Sequence, residues 1–589
     1  MFIMRRGPAR RQPRPPPPDG RTGCGPEIHE CANFGPLLPL LPLLARLQGD
    51  PMLFGRPFQG RSPAVVFALA PALAIAGCSS GNSGPESGGT ESPAPAASLA
   101  DGVLAARYSA WGRQGRVELL ALERVAGKAV VARFRLTNES GEDYPIMTSL
   151  SGNGERNRER PGSVDTNAIS AVSLLDERNS RQHFPLNRAD GQCLCTRYHP
   201  FPEPVRAGES RELAAAFPAP PEDVRSMGVL FPHAPPFLNV PITDVDARAY
   251  TFDEPQGPVD PSAEETGPPL VLPVLATVEQ EAAARDDDGE NLRVRLAADV
   301  LFATDSADLG ADARERLRSV AADIDRSADT EIEVDGHTDD TGNDAINEPL
   351  SRRRAEAVEA ALGDLVTRNG VAFRARGHGS GDPVASNETE GGRSKNRRVT
   401  VTFARPAPPA PAPSARASAP ASPGGGPAAG PAGGAAPHWP HPVLGRADAD
   451  PATVDDAPGA SVKDARVEVN ALTRAPSGFA TLVFTIVNED RAAAFDPART
   501  ADLDGLYVGS GTSGVTLRAG DRTVRSLRAA DRSVVGSPDF AGFGPDSRYH
   551  VAPGKRLTFW TTFRIPDGIG KATVRVPGFA PVADVPVGK

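Results

Sequence analysis

The sequence predicts a multidomain protein in which a central α+β domain is flanked by two all-β sandwiches. Three observations predict it. A chain of 589 residues is too long for a single hydrophobic core, so three or four domains are expected. Two segments, 103–247 and 448–589, carry alternating apolar and polar residues in the same order of blocks, as half-buried strands do. Between them, 291–404 switches from alternation to spacings of three and four, which marks strands mixed with helices.

Composition narrows the classes. The formal charge of −10 is spread over both signs with no large basic block, so nothing points to nucleic acid. Gly (59) and Pro (61) together make about a fifth of the residues, which predicts long linkers. The five cysteines, Cys24, Cys31, Cys78, Cys193 and Cys195, are too few for a disulfide scaffold.

Residues 1–51 are rich in Arg and Pro and show no periodicity beyond Pro36–Leu44. They read as an upstream segment, with translation expected to begin at Met52. Arg56 and Arg61 then precede an apolar run, Ala64–Ile75, that is too short for a mature spanning helix. The run ends in Ile75-Ala76-Gly77-Cys78, which resembles the bacterial lipobox. The resemblance implies a signal peptide over 52–77 and lipidation of Cys78. The Ser/Gly/Pro text of 78–102 reads as a polar tether. The mature chain is therefore expected to be membrane-tethered, by more than one acyl chain.

In 103–247, Val117–Val125 and Ala129–Glu139 alternate on either side of Ala126-Gly127-Lys128. Ala171–Leu175, Val205–Pro218, Met227–Phe231 and Leu238–Ile242 follow. Segment 448–589 repeats this order. Val467–Asp490 matches the first pair, including Asn488-Glu489 against Asn138-Glu139; Val515–Arg522, Val551–Pro566 and Val582–Val587 match the rest. Short strands with turn signals every dozen residues predict a sandwich, and both segments read as immunoglobulin-like, the products of an internal duplication. A closed barrel is the alternative. Cys193-Leu194-Cys195 lies near His183 and His199. A thiol pair or disulfide is the expectation there, and no metal site. The second copy has Val534 where the first has these cysteines. The Pro- and acid-rich 248–290 and the Pro/Ala/Gly-rich 405–447 are expected to be linkers, unable to fold alone.

The central segment 291–404 predicts the order βαβαββ, a mixed sheet with helices on one face. Leu292, Val294 and Leu296 alternate. Ala313, Leu317, Val320 and Ile324 form a helical face; Ile332 and Val334 give a strand. Ala355, Val358, Leu362 and Leu365 form a second helical face, and Val371–Ala375 and Val399–Phe403 alternate again. Where the second strand ends, Gly336-His337-Thr338-Asp339-Asp340-Thr341-Gly342 opens a loop. Asp339 can face solvent there beside backbone donors. Arg354 follows on the second helix, and its planar fork can take a carboxylate with two parallel hydrogen bonds. One fixed carboxylate and one fixed guanidinium suit an amino-acid zwitterion. A bare Asp–Arg pair can equally be a surface salt bridge worth under about 1 kcal/mol.

The text Val334–Val358, then Arg376–Asn387 and Gly391–Val399, closely resembles the OmpA-like peptidoglycan-binding domain, over about 291–404. That resemblance implies a non-catalytic cell-envelope lipoprotein that binds peptidoglycan non-covalently. The implied ligand is the diaminopimelate of the stem peptide, its ammonium on Asp339 and its carboxylate on Arg354. Thr341, Asn347, Arg397 and Asp305 carry over as further ligand-side residues. Before Asp305, Ala303-Thr304 departs from the family's usual aromatic-Asp text. Structural readings stand beside these: Asn347, followed by Glu348-Pro349, suits a helix cap, and Arg398 suits pairing with an acid. His337 and His378 invite an acid/base reading. No nucleophile-elbow, H-E-x-x-H, phosphate-loop or CxxC text accompanies them, so neither catalysis nor a cofactor is expected. The expected partners are peptidoglycan, a membrane through the lipid anchor, and an envelope protein on the sandwiches. The alternative is a surface or adhesive protein whose sandwiches bind a protein partner. The expected location is extracytoplasmic: the outer membrane, or the outer face of the cell membrane in an actinobacterium.

Overall fold

A computed structural model of the chain describes residues 102–588 apart from 109–114, 142, 144–149, 151–166, 198–203, 233, 253–256, 407–441, 451–463, 493–494, 496–505, 508–511, 531 and 538–550. The upstream and signal segments, Cys78, His199 and most of the 405–447 linker lie outside the described residues. All described residues belong to the unit Glu91–Lys589.

The alternating pair of the first segment becomes two antiparallel strands, Gly115–Val125 and Ala129–Asn138. They turn at Ala126 and Gly127, both with positive φ. Their sheet runs Ala105–Tyr108, Gly115–Val125, Ala129–Asn138, Ser210–Pro218. A second sheet, Phe237–Pro241, Ser226–Leu230, Ser173–Asp176, Arg181–His183, shares one core with it, including Leu119, Phe134, Leu174, Phe217 and Phe231. Each such ring, fully buried, contributes about 1.5–3 kcal/mol.

The carboxy-terminal segment repeats this order strand for strand. Gly445–Asp448, Ala465–Arg474, Phe479–Asn488 and Arg556–Arg564 form one sheet. Val582–Pro586, Lys571–Arg575, Thr516–Ala519 and Arg522–Arg525 form the other. The likeness reaches single bonds. Asn138 donates from Nδ2 to the Val205 carbonyl and Asn488 to that of Val551, each at 2.8 Å. Both leading hairpins slip register at the same place, Leu119/Ala121 and Val469/Ala471. Cys193 and Cys195 are joined as a disulfide. The flanking amide of Leu194 donates to Leu186, as that of Val535 does to Leu527 in the copy without cysteines.

The central domain has strands Asn291–Ala297, Glu331–His337, Ala372–Gly377 and Arg398–Ala404. Its helices are α1 (Ala298–Leu301), α2 (Ala313–Arg326), α3 (Asp344–Leu365) and α4 (Glu390–Asn396). Glu331–His337 pairs parallel with Ala372–Gly377 and antiparallel with Arg398–Ala404, so the sheet is mixed. The faces expected of α2 and α3 are the buried ones: Leu317, Val320 and Ile324, with Ala355, Val358 and Leu362, pack on Val294, Val334, Val401 and Phe403. Helix α4 was not expected, because its seven polar and glycine residues carry no apolar period. The side chain of Thr389 caps it by accepting from Gly392.

One expectation is corrected. Residues 248–290, read as a linker, contain the strands Val271–Gln280 and Ala283–Asp287. They do not fold alone; they join what lies on either side. Val271–Pro273 pairs with Arg181–His183 of the first sandwich. Val274 and Leu275 pair with Ala529 and Arg528, and Val278 and Glu279 with Val524 and Thr523, of the second. Ala283–Asp287 pairs with Leu292–Leu296 of the central sheet. One hydrogen-bonded sheet thus runs from Ala372–Gly377 through this hairpin to Val582–Pro586. Charge pairs pin it, one buried and two half-buried. Arg295 donates to Asp286 at 2.6 Å and Arg564 to Asp287 at 2.8 Å, and Arg525 forms an ion pair with Glu279 at 2.7 Å. Likewise Gly445–Asp448 is already a strand, so the second sandwich begins a few residues before 448.

Val278 pairs on one side with Arg285 and on the other with Val524, so Val278→Pro removes a ladder donor and strains the strand. A loss of about 3 kcal/mol is expected, read as a lower urea midpoint. Limited proteolysis should then release the carboxy-terminal sandwich by cutting within 407–441.

Candidate functional site

The Glu331–His337 strand ends beneath α3, and the crossing is close. A β-carbon on Gly336 would lie 2.0 Å from the Ser351 carbonyl oxygen. Glycine is therefore required at that position. The chain then turns through Thr338, whose amide donates to the Gly379 carbonyl at 2.8 Å. It passes Gly342 at φ 96° and enters α3 at Asn343. The Asn343 side chain accepts from the Ile346 amide, so Asn343 is the cap and Asn347 is not. Asn347 is buried inside the first turns and donates from Nδ2 to the Thr341 carbonyl at 3.1 Å. It fixes the loop that carries Asp339.

Asp339 is only 7 % exposed. Its Oδ1 accepts from the Thr341 amide at 3.0 Å and its Oδ2 from Arg397 Nη1 at 2.7 Å. Burial alone would raise its pKa; the Arg397 and Thr341 bonds outweigh that and hold the carboxyl below its usual range. The carboxylate, which has about four lone-pair sites for the Thr341 and Arg397 donors, keeps capacity for a further donor. Arg354, from α3, is 6 % exposed. Its Nε donates to the Ser306 carbonyl at 2.9 Å, and its guanidinium lies 5.3 Å from the centre of the Phe302 ring. Burial lowers its pKa, while the charges of Asp299, Asp305 and Asp339 pull the other way. Its terminal nitrogens have no protein partner among the described residues. Asp305 sits exposed at φ 56° in the turn before Ser306, at the rim beside Arg354.

Arg397 is the hinge of the cluster. Besides Asp339 it binds Asp299 through Nε and Nη2, at 3.0 and 2.8 Å, and Glu390 at 2.9 Å. These bonds, Asp299 first, raise its pKa further. The structure therefore brings Asp339, Arg354, Arg397 and Asp305 into one cluster, with Thr341 and Asn347 behind it. Asp299 and Glu390 are members that sequence reasoning missed. Glu390 lies two helical turns before Arg397, a spacing that would have shown it had α4 been expected. Arg398 is buried and donates to the carbonyls of Asn396 and Asp382, not to an acid side chain. His337 and His378 stack with ring centres 5.0 Å apart, and His378 lies between Asp335 and Asp382. Among the described residues, His337 Nδ1 has no hydrogen-bond partner. Burial, helped by Arg398 and His378, pushes the His337 pKa down to about 3.

A buried anion with spare lone pairs beside a buried guanidinium with spare donors can hold both ends of a small zwitterion. Residues 301–397 match the OmpA family. The chain is 32% identical over 145 residues to the outer-membrane lipoprotein YfiB of Pseudomonas aeruginosa, covering 23% of this chain and 82% of that protein. It is 39% identical over 105 residues to the peptidoglycan-binding protein ArfA of Mycobacterium tuberculosis, covering 17% of this chain and 31% of that one. Among solved structures, the cell wall anchor of the T6SS from Pseudomonas aeruginosa is 29% identical with a TM-score of 0.20, covering 21% of this chain and 89% of that chain.

His337 is held neutral in the fold but takes a proton near pH 6.5 when unfolded. The unfolded state therefore binds more protons below that pH, and stability falls as pH drops from about 6.5 towards 3. Urea unfolding between about pH 6.5 and 5 should show a slope difference between wild type and His337→Asn approaching about 1.4 kcal/mol per pH unit, with the variant flatter.

Proposed function

We propose, for a chain that belongs to the OmpA family through its central domain, that it binds peptidoglycan without catalysis and ties a membrane to the cell wall. One observation carries this reading: Arg354 keeps its terminal donors open at a buried site where Asp339 keeps open lone pairs. The ligand that fits is the amino-acid centre of diaminopimelate in the stem peptide. Its carboxylate takes the Arg354 fork, and its ammonium takes the outer lone pairs of Asp339. Thr341 and Asn347 hold the loop, Arg397 orients Asp339, and Asp305 borders the entrance. The names of the two curated relatives, one an outer-membrane lipoprotein and one peptidoglycan-binding, support both halves of the proposal.

At the amino terminus, the lipobox-like Ile75–Cys78 makes Cys78 the lipidated residue of a mature chain that follows a signal peptide over 52–77. Anchoring raises the effective concentration of wall ligand around the site, so a weak contact gives long residence. The flanking domains are then immunoglobulin-like sandwiches. Supporting this, each places Ala105–Tyr108 or Gly445–Asp448, its first long hairpin and Ser210–Pro218 or Arg556–Arg564 in one sheet and a second set of four strands in the other, an interleaving akin to that of immunoglobulin domains. Their role is to present surfaces to an envelope protein.

Sedimentation of the full chain with insoluble diaminopimelate-type sacculi tests the reading. Asp339→Ala and Arg354→Ala should each weaken retention by at least about thirtyfold, because each strands a desolvated partner charge at a cost of about 2–5 kcal/mol. Arg354→Lys should not restore it, since a lysine lacks the planar fork. Retention of both alanine variants at the wild-type level would refute the site.

A further inference from the structure

We infer that the carboxy-terminal sandwich is a positioning element of the ligand site, acting through Tyr507 on the loop that carries Ala385. The inference rests on the peptidoglycan reading and adds a domain to its site. Ala385 of the central domain shares a buried apolar cluster with Leu506 and Tyr507 of the sandwich, with Val534 at its border. Ala385 is also where Asn396 is held. The fully buried Asn396 accepts from the amides of Val384 and Ala385, at 2.8 and 3.0 Å, and donates back to the Ala385 carbonyl at 2.9 Å. The next residue is Arg397, whose guanidinium orients Asp339. A chain of contacts therefore runs from the Leu506–Tyr507 cluster through Ala385 and Asn396 to Arg397 and Asp339.

The sandwich end of this chain is braced. The Tyr507 hydroxyl donates to the Ser526 carbonyl at 2.5 Å, and the Arg528 guanidinium lies 5.9 Å from the Tyr507 ring centre. Arg528 also donates to the Leu506 carbonyl at 2.8 Å. Its own strand pairs with Leu275, in the hairpin that continues the central sheet. Among the described residues, the sandwich thus touches the central domain both through the sheet and through the Tyr507 cluster, and the latter contact bears on the loop behind Arg397. A loop held in place loses less freedom when ligand binds, so the docked sandwich strengthens binding without touching the ligand.

The test uses the full chain and diaminopimelate-type sacculi, with amide hydrogen exchange measured on the free protein. Tyr507→Ala should weaken retention about tenfold, within the usual range of coupling between sites, and should speed exchange at Val384 and Ala385. Tyr507→Phe keeps the ring on the cluster and removes the hydroxyl that bonds Ser526, so it should bind as wild type does. Should Tyr507→Ala fail to fold, Val534→Ser at the edge of the cluster is read in its place, with the same direction expected. Wild-type retention and exchange in these variants, with Asp339→Ala unbound, would overturn the inference alone. Retention of Asp339→Ala would instead overturn the ligand reading beneath it.

Discussion

The carbonyl of Ser351 stands where a side chain on Gly336 would be, and the backbone of Arg352 stands likewise over Gly377. Helix α3 thus lies directly on two neighbouring strands, backbone close against backbone at those crossings. That contact sets the site. It brings Asn347 down onto the Thr341 carbonyl and buries Arg354, whose terminal donors stay open. A helix held off by even a methyl group would carry Arg354 away from the loop of Asp339. The two residues would then lose the common guest that the proposed binding requires, since positioned groups act only within a narrow geometric tolerance.

The same economy of contact explains why three segments make one body. A sheet edge presents unpaired donors and acceptors that a second strand will cover. Arg181–His183 and Arg522–Arg525 are matching strands of the two sandwiches, and both are covered by Val271–Gln280. The duplicated domains therefore use the same edge on successive parts of one strand. The partner hairpin strand then closes the edge of Asn291–Ala297. Buried pairs such as Arg295–Asp286 hold this arrangement more by penalty than by gain. Separating them would strand a charge out of water, typically costing 3–5 kcal/mol.

What was legible in the sequence was whatever has a period. The inward faces of α2 and α3 and the duplicated alternation of the sandwiches could be read from spacing alone, because burial on one side imposes it. The loop of Asp339 could be read because its glycines and acids are dense and ordered. Val271–Gln280 was passed over although Val271, Val274, Ala276 and Val278 are apolar, because Pro- and acid-rich text precedes it and its partners lie far along the chain. No local pattern announces a strand whose neighbours are residues 181–183 and 522–529. Helix α4 was invisible for the opposite reason: it buries almost nothing apolar and is set by the Thr389 cap and the Asn396 side chain. With it went Glu390, and so the fact that Arg397 serves three carboxylates.

That crowd of carboxylates bears on which ligand the site can prefer. Among the described residues, Arg354 and Arg397 share the cluster with Asp299, Asp305, Asp339 and Glu390, and Arg393 pairs with Glu390, three cations against four anions. Arg397 is already committed to three of those anions, so only Arg354 has donors to spare. A simple anion approaching Arg354 would gain its fork but meet an excess of negative charge in a site partly withdrawn from water, where charges interact more strongly. A simple cation would meet Arg354 as a repulsive neighbour. A molecule carrying both charges on one carbon satisfies each centre and adds no net charge. Because Asp339 is compensated by Arg397 before any ligand arrives, the ammonium adds to an existing pair and does not rescue a lone carboxylate. Its gain per contact is therefore modest, which is compatible with the proposed tether, since tethering raises the local concentration of ligand.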